Sequence, residues 1–329
     1  GRASMLHTRL CDLLEIEHPI ISAPMAGSSA ADLVAAVSGA GGFGLLGASA
    51  RGAGADWLRD QIRAVRERTD RPFGVGFISS APGVDDLMRV ALEERVAAIS
   101  HSFADPTPYV GPAHEAGVKV LVQVQTVAQA SVAAAAGADA IAAQGMEAGG
   151  HAGRVNATLP LVPQVVDAVG DIPVVAAGGI VDGRGLAAVL MLGAEGVWMG
   201  TRFVASVEWG GGEWAKARVV AAGPDDTVHT RAYDLAQQSP FPEGIWDRVL
   251  RNSFTETWQG RSDEVVAQRD ALRAQLQEAV HAGDAEVAAV RAGGGVGLIH
   301  AVEPAGDLVR RVVAEAERIL RERPGRVLR

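Results

Sequence analysis

The feature that most constrains this chain is a regular alternation. Short apolar runs, rich in Val, Ile and Phe and flanked by Gly or Pro, are separated by longer alanine-rich amphipathic segments. Such runs read as buried parallel strands, and the segments between them as crossover helices. Eight runs are predicted as strands, near Pro19–Ala23, Phe43–Leu46, Phe73–Phe77, Val96–Ser100, Val118–Val124, Ala140–Ala143, Pro173–Ala177 and Gly196–Met199. Seven intervening segments can each hold a helix. Asp32–Ser38 and Ala128–Ala136 are the clearest, with Gly39 and Gly137 placed as their C-caps. Eight βα units in about 200 residues point to a sheet closed on itself, an α/β fold of the (β/α)8 TIM-barrel type. An open doubly wound sheet would carry G-x-G-x-x-G after its first strand, and the chain has Pro24-Met25-Ala26-Gly27-Ser28 there.

After Phe203 the pattern changes. Residues 208–300 hold four of the six tryptophans, a glycine cluster and long polar helices, with Asp263–Ala282 reading as one surface helix. Pro304–Arg321 is amphipathic, with Leu308, Val312, Val313, Ala316 and Ile319 near helical spacing, and is expected to return as the eighth barrel helix. The expected organisation is therefore a barrel from 5–206 plus 304–325 and a mainly helical cap inserted after strand eight, 207–303. Gly1–Ser4 precede Met5 and are left out of this reasoning.

With 329 residues, 48% of them hydrophobic, the chain can bury one large core and a smaller appended unit. Its net charge of −9 and its lack of basic runs argue against nucleic acid or an anionic membrane as partner. No stretch approaches the ~20 apolar residues of a membrane span. No secretory signal pattern appears, so a cytoplasmic location is expected. The single cysteine, Cys11, excludes an intramolecular disulfide and reads as a small buried apolar residue ahead of the first strand.

In such a barrel the chemistry sits at the carboxyl ends of the strands. Strand seven ends in Ala177-Gly178-Gly179-Ile180 and strand eight in Met199-Gly200-Thr201-Arg202. Glycines there let backbone N–H groups approach a phosphate, and two such loops at consecutive strand ends make a phosphate site a better reading than plain turns. Strand six runs into Gln144-Gly145-Met146-Glu147-Ala148-Gly149-Gly150-His151-Ala152-Gly153-Arg154, which is too glycine-rich for a helix and reads as a loop carrying one imidazole. Histidine, with an ordinary pKa of about 6.5, can take a proton at neutral pH. Lone histidines are more often structural, and His7, His18, His114 and His229 are read that way. His151 stands apart because of where its loop lies. Glu147 has two even readings, a carboxylate bonding nearby backbone or a solvated one. Gln123 and Gln125 share one side of strand five and need partners if buried. Ser22–Gly27 is either the edge of a ring site or an ordinary turn. The motifs for zinc, calcium and a nucleophile elbow are all missing.

These motifs together resemble the nitronate monooxygenase family, formerly called 2-nitropropane dioxygenases. The resemblance runs nearly end to end. It includes His18–Gly27, Ala40–Gly44, Gln144–His151, Ala176–Ile180, Met199–Phe203 and, in the cap, Arg248–Asn252. The Gln-Gly-x-Glu-Ala-Gly-Gly-His string is its most specific part. The resemblance implies non-covalent FMN, with the phosphate on Gly178, Gly179, Gly200 and Thr201. It implies the isoalloxazine ring near Ala23, Pro24 and Met25, with Gln123, Gln144 and Gly149 close by, and His151 as the catalytic base. It implies oxidation of a small nitronate or nitroalkane by O2 to a carbonyl compound and nitrite. His151 would take the α-proton of a neutral nitroalkane, or bind the charge of an anionic nitronate. The best-known branch has asparagine after strand three, where this chain has Gly76. Two rivals stand beside this reading. One is an FMN-dependent NAD(P)H reductase of enoyl thioesters or quinones, and the other a flavin-free barrel holding a phosphorylated metabolite. Oligomeric state is not fixed by the sequence, a homodimer being one option.

Overall fold

The computed structural model describes residues 6–48 and 54–328. Eight parallel strands close into a barrel in chain order: β1 (Ile20–Ser22), β2 (Phe43–Gly47), β3 (Phe73–Ile78), β4 (Ala98–Ser102), β5 (Lys119–Val124), β6 (Ala140–Gln144), β8 (Val174–Ala177) and β9 (Gly196–Met199). The extra strand β7 (Gly150–Ala152) lies outside the barrel. All eight expected barrel strands are present. β4 begins two residues later than its apolar run, because Arg95 takes a left-handed turn (φ 51°) before it.

Side-chain alternation gives the barrel two different interiors. At the amino-terminal end, Phe43, Leu45, Ala98, Leu121, Ala140, Val175 and Trp198 pack together under the helix Arg9–Leu14, whose Leu10, Cys11 and Leu14 seal that end. Cys11 is buried there, as expected. Toward the other end the same parity supplies Gly76, Ser100, Ser102, Gln123 and Gln144, small or polar residues that leave the mouth open. The alternate residues, among them Val75, Ile99, Val122, Ile141 and Val197, pack outward against the helical layer.

The helices follow the sequence pattern with two corrections. The helix Ala31–Gly39 runs through Gly39 and is capped by Ala40. The left-handed residue is Gly41 (φ 88°), where a Cβ would meet Glu17 Cβ at 2.9 Å. Gly137 does cap the helix Val127–Ala136, with φ 95°. The segment expected as one helix, Asp263–Ala282, is two, Ser262–Ala267 and Arg269–Ala282, broken at Gln268. The break lets Val265 from the first and Leu272 and Leu276 from the second reach one cluster around Tyr233 and Phe254. The last long helix, Ala305–Glu322, packs between Gly183–Met191 and Ala31–Gly39 and completes the ring. No described helix is long and apolar enough to cross a membrane.

Between β9 and that helix the chain builds β10 (Thr227–Thr230), β11 (Trp246–Leu250) and five helices of six or more residues. β10, β11 and β7 form one antiparallel sheet, in which Asp247 lies opposite His151. The stretch expected to be all loop after β6 therefore contains a strand, which takes its partner from the insertion.

Two features of the barrel yield tests. A Cβ on Gly76 would lie 2.3 Å from Pro24 Cβ and Cγ and 2.8 Å from Ser100 Oγ, so the position has room only for glycine. Overpacking of this kind costs roughly 1–3 kcal/mol. Gly76→Ala is expected to lower the urea midpoint accordingly, and an unchanged midpoint would show that the Pro24 turn yields freely. His101 on β4 lies between Phe77 and Tyr109, with ring centroids at 5.8 and 4.4 Å. Its Nδ1 is 2.7 Å from Ser79 Oγ, and Nε2 has no partner among the described residues. Burial pushes its pKa down to about 4. The unfolded chain protonates first, so His101 supports folding fully above about pH 6.5 and loses that support as pH falls toward 4. His101→Phe should flatten the stability loss between pH 7 and 4.5, by on the order of 2–3 kcal/mol, in paired urea titrations.

Candidate active site

The mouth of the barrel and the inserted segment enclose a cavity of about 1240 Å³. Every residue that the family resemblance implicated lines it. Ala23, Pro24 and Met25 follow β1; Gln123 is the last residue but one of β5; Gln144 ends β6; Gly149 and His151 follow β6; Gly178 and Gly179 follow β8; Gly200 and Thr201 follow β9. Gly178 and Gly179 are consecutively left-handed (φ 109° and 74°), and a Cβ on Gly178 would meet Thr158 Oγ1 at 2.9 Å. The Thr201 hydroxyl accepts a hydrogen bond from Gly293 N (2.9 Å), tying the β9 loop to the insertion.

His151 sits on β7 with its ring stacked on Phe241, centroids 3.3 Å apart and planes within 11°. Its Nε2 lies 2.9 and 3.1 Å from the two carboxylate oxygens of Asp234. Asp234 comes from the helix Ala232–Gln237 and is buried. Asp247, fully buried beside His151, is held by Arg291 through Nε–Oδ1 (3.2 Å) and Nη2–Oδ2 (2.9 Å). His151, Asp234 and Asp247 offer donor atoms within 4.8 Å of one another, but the Arg291 guanidinium already faces both Asp247 oxygens. From beneath, Gln125 Nε2 donates to Gln144 Oε1 (3.0 Å), and Gln144 Nε2 donates to His151 O (3.1 Å).

The residues fit a ring ligand that offers acceptors. Two buried donors on the cavity wall, Gln123 Nε2 and Trp209 Nε1, have no hydrogen-bond partner among the described residues. A buried unpaired donor costs about 1–3 kcal/mol, which an acceptor on a ligand would recover.

The family model for nitronate monooxygenase matches residues 7–315. The chain belongs to that family. Its membership makes it a flavin-dependent oxidoreductase. It is 35% identical to a nitronate monooxygenase of Pseudomonas aeruginosa, over 93% of this chain and 98% of that one. It is 40% identical to a (3aS,4S,5R,7aS)-5-hydroxy-7a-methyl-1-oxo-octahydro-1H-indene-4-carboxyl-CoA dehydrogenase of Mycobacterium tuberculosis, over 76% of this chain and 68% of that one. The fold matches FabK from Thermotoga maritima at TM-score 0.89 and 40% identity, covering 98% of this chain and 100% of that one. It also matches nitroalkane oxidase from Streptomyces ansochromogenes at TM-score 0.79 and 32% identity, covering 94% and 98%.

The flavoenzyme fold was legible in the sequence, but the surroundings of His151 were not. Asp234, Asp247, Arg291 and Phe241 all come from the insertion, far along the chain from His151. The available clue was the family-like stretch Arg248–Asn252, which adjoins Asp247. The structure also supplies the partners of Gln144 and Glu147. Gln144 is spent on Gln125 and the His151 carbonyl, so its amide supports the β7 strand. Glu147 is not a free loop carboxylate. It accepts from Thr158 N (2.9 and 3.1 Å) and Thr158 Oγ1 (2.9 Å), clamping the glycine loop to the next helix. Glu147→Ala should therefore cost about 1–3 kcal/mol in urea unfolding, whereas a solvated carboxylate would leave the midpoint where it was.

Proposed function

We propose that this flavoenzyme binds FMN and oxidises alkyl nitronates, and the nitroalkanes they derive from, using O2 and releasing a carbonyl compound and nitrite. The observation that carries this reading is the placement of His151. It lines the same cavity as the two glycine loops, with Nε2 engaged by Asp234 and no protein partner on Nδ1 among the described residues. In this reading Gly178, Gly179, Gly200 and Thr201 hold the phosphate with backbone groups. Ala23, Pro24 and Met25 edge the ring, with Gln123, Gln144 and Gly149 beside it. The bound flavin supplies the electron transfer to oxygen. The chain's own work is positioning and proton transfer. His151 removes the α-proton of a neutral nitroalkane, leaving the electron pair on the substrate as the nitronate. With a preformed nitronate, the protonated imidazole pairs with the anion instead.

The size of the cavity supports a second reading. At about 1240 Å³ it exceeds the roughly 300–1,000 Å³ of common ligand pockets. Two relatives at 40% identity are a carboxyl-CoA dehydrogenase and FabK. An NAD(P)H-linked reaction on an acyl thioester, or on a quinone, would use the same flavin site and more of that volume.

One set of measurements separates the readings. The purified protein is expected to be yellow and to release FMN on denaturation. It should consume O2 and produce nitrite from propionate 3-nitronate and ethyl nitronate with no nicotinamide added. His151→Ala should keep its FMN and lose on the order of 10²–10⁴-fold in kcat/KM for nitroethane. Anaerobic bleaching by NADH or NADPH with no nitrite formed would move the assignment to the thioester or quinone reaction. Normal nitroethane turnover by His151→Ala would remove the histidine as base, and a colourless protein that refuses FMN would remove the flavin reading.

A further inference from the structure

We infer that Asp234 is the positioning residue of the reaction, fixing the tautomer and direction of the His151 imidazole and holding its charge when it takes a proton. This rests on the reading of His151 as a base. Both Asp234 oxygens lie within hydrogen-bond distance of His151 Nε2. A carboxylate accepts and does not donate, so in the neutral ring the proton sits on Nε2 and the lone pair on Nδ1. Nδ1 is then the atom free to attack. The Cα–H bond of the substrate breaks, its proton goes to Nδ1, and its electrons stay on the substrate. The resulting imidazolium lies against Asp234 in a site where both side chains are about one-tenth exposed.

The charges around the ring make this workable. On the His151 face of the β10–β11–β7 sheet stand Asp234, Asp247 and Arg291. Arg291 neutralises Asp247 directly and is close enough to Asp234 to feel its charge. With a neutral imidazole the group therefore carries one net negative charge. Two uncompensated carboxylates would trap the ring in its charged form. Arg154 lies over Trp246, and Arg248 bonds Met146 O and His229; Trp246 and Arg248 alternate with Asp247 along β11, which puts these groups on the opposite face. Glu147 is turned to Thr158. Phe241 covers one face of the ring and so leaves the in-plane nitrogens as its polar contacts.

The test reads the ring itself as well as turnover. Protein labelled with 15N-histidine, with His151 assigned by the loss of its signals in His151→Gln, should show the neutral ring protonated at Nε2 and bare at Nδ1. In Asp234→Asn, the His151 titration should move to lower pH by about one unit or more. The acid limb of kcat/KM for nitroethane should move with it, kcat should fall at least tenfold, and FMN content and melting temperature should stay near wild type. Asp234→Glu should restore much of the titration shift. A wild-type ring protonated at Nδ1 would overturn the inference without any variant. So would an Asp234→Asn protein whose His151 titrates as in the wild type. Because tautomer and titration are read without nitronate turnover, they stand even if the substrate proves to be a thioester.

Discussion

His151 is held by a strand that the barrel cannot complete alone. β7 is three residues long, and its backbone partners come from β11, nearly a hundred residues later in the chain. A strand that short has no independent stability in water. It exists because β11 pairs with it on one side while Gln144, anchored in the barrel, donates to the His151 carbonyl from below. The position of the imidazole is thus set jointly by barrel and insertion, and neither part specifies it alone.

The barrel contributes an empty mouth over a filled base. The same inward parity that stacks Phe43, Leu121 and Trp198 at one end presents Gly76, Ser102 and Gln123 at the other. Volume is given up at the mouth, and the donor Gln123 Nε2 is left there with no partner among the described residues. A native fold tolerates an unpaired buried donor of this kind where a ligand completes it. Gly76 belongs to the same design. The Pro24 turn presses on Gly76 and leaves no space for a side chain there.

What could be read from the sequence follows from the range of the interactions involved. Buried parallel strands are apolar on both faces, so runs such as Val118–Val124 identify themselves locally. Glycines at strand ends report a close backbone approach, which is also local. The split at Gln268 was hidden, because Val265, Leu272 and Leu276 keep a continuous helical spacing, and only the shared cluster with Tyr233 and Phe254 demands the turn. The strand character of Gly150–Ala152 was hidden for the same reason. Glycine-rich sequence has low strand propensity, and the pairing that overrides it lies in Trp246–Arg248. Asp234 carried no mark at all, since a single acid on a short helix looks like any solvated carboxylate until the fold buries it.

The segment between β9 and the last long helix is therefore part of the His151 site as well as a cover. It supplies the ring that stacks on the imidazole, the carboxylate on Nε2, and the ion pair that balances the charge beneath. These contacts gather at one corner of a cavity whose remaining walls are mostly Gly, Ala, Pro and aliphatic or aromatic side chains. Such walls exclude water and shape the ligand without committing to one functional group. An imidazole held this tightly next to walls this permissive separates the geometry at His151 from the shape of the rest of the cavity. That separation is in keeping with a fold whose relatives are named for nitronates and for a carboxyl-CoA compound alike. Changes along the open walls would alter what fits the cavity, while the imidazole stays fixed by two strands and a buried carboxylate.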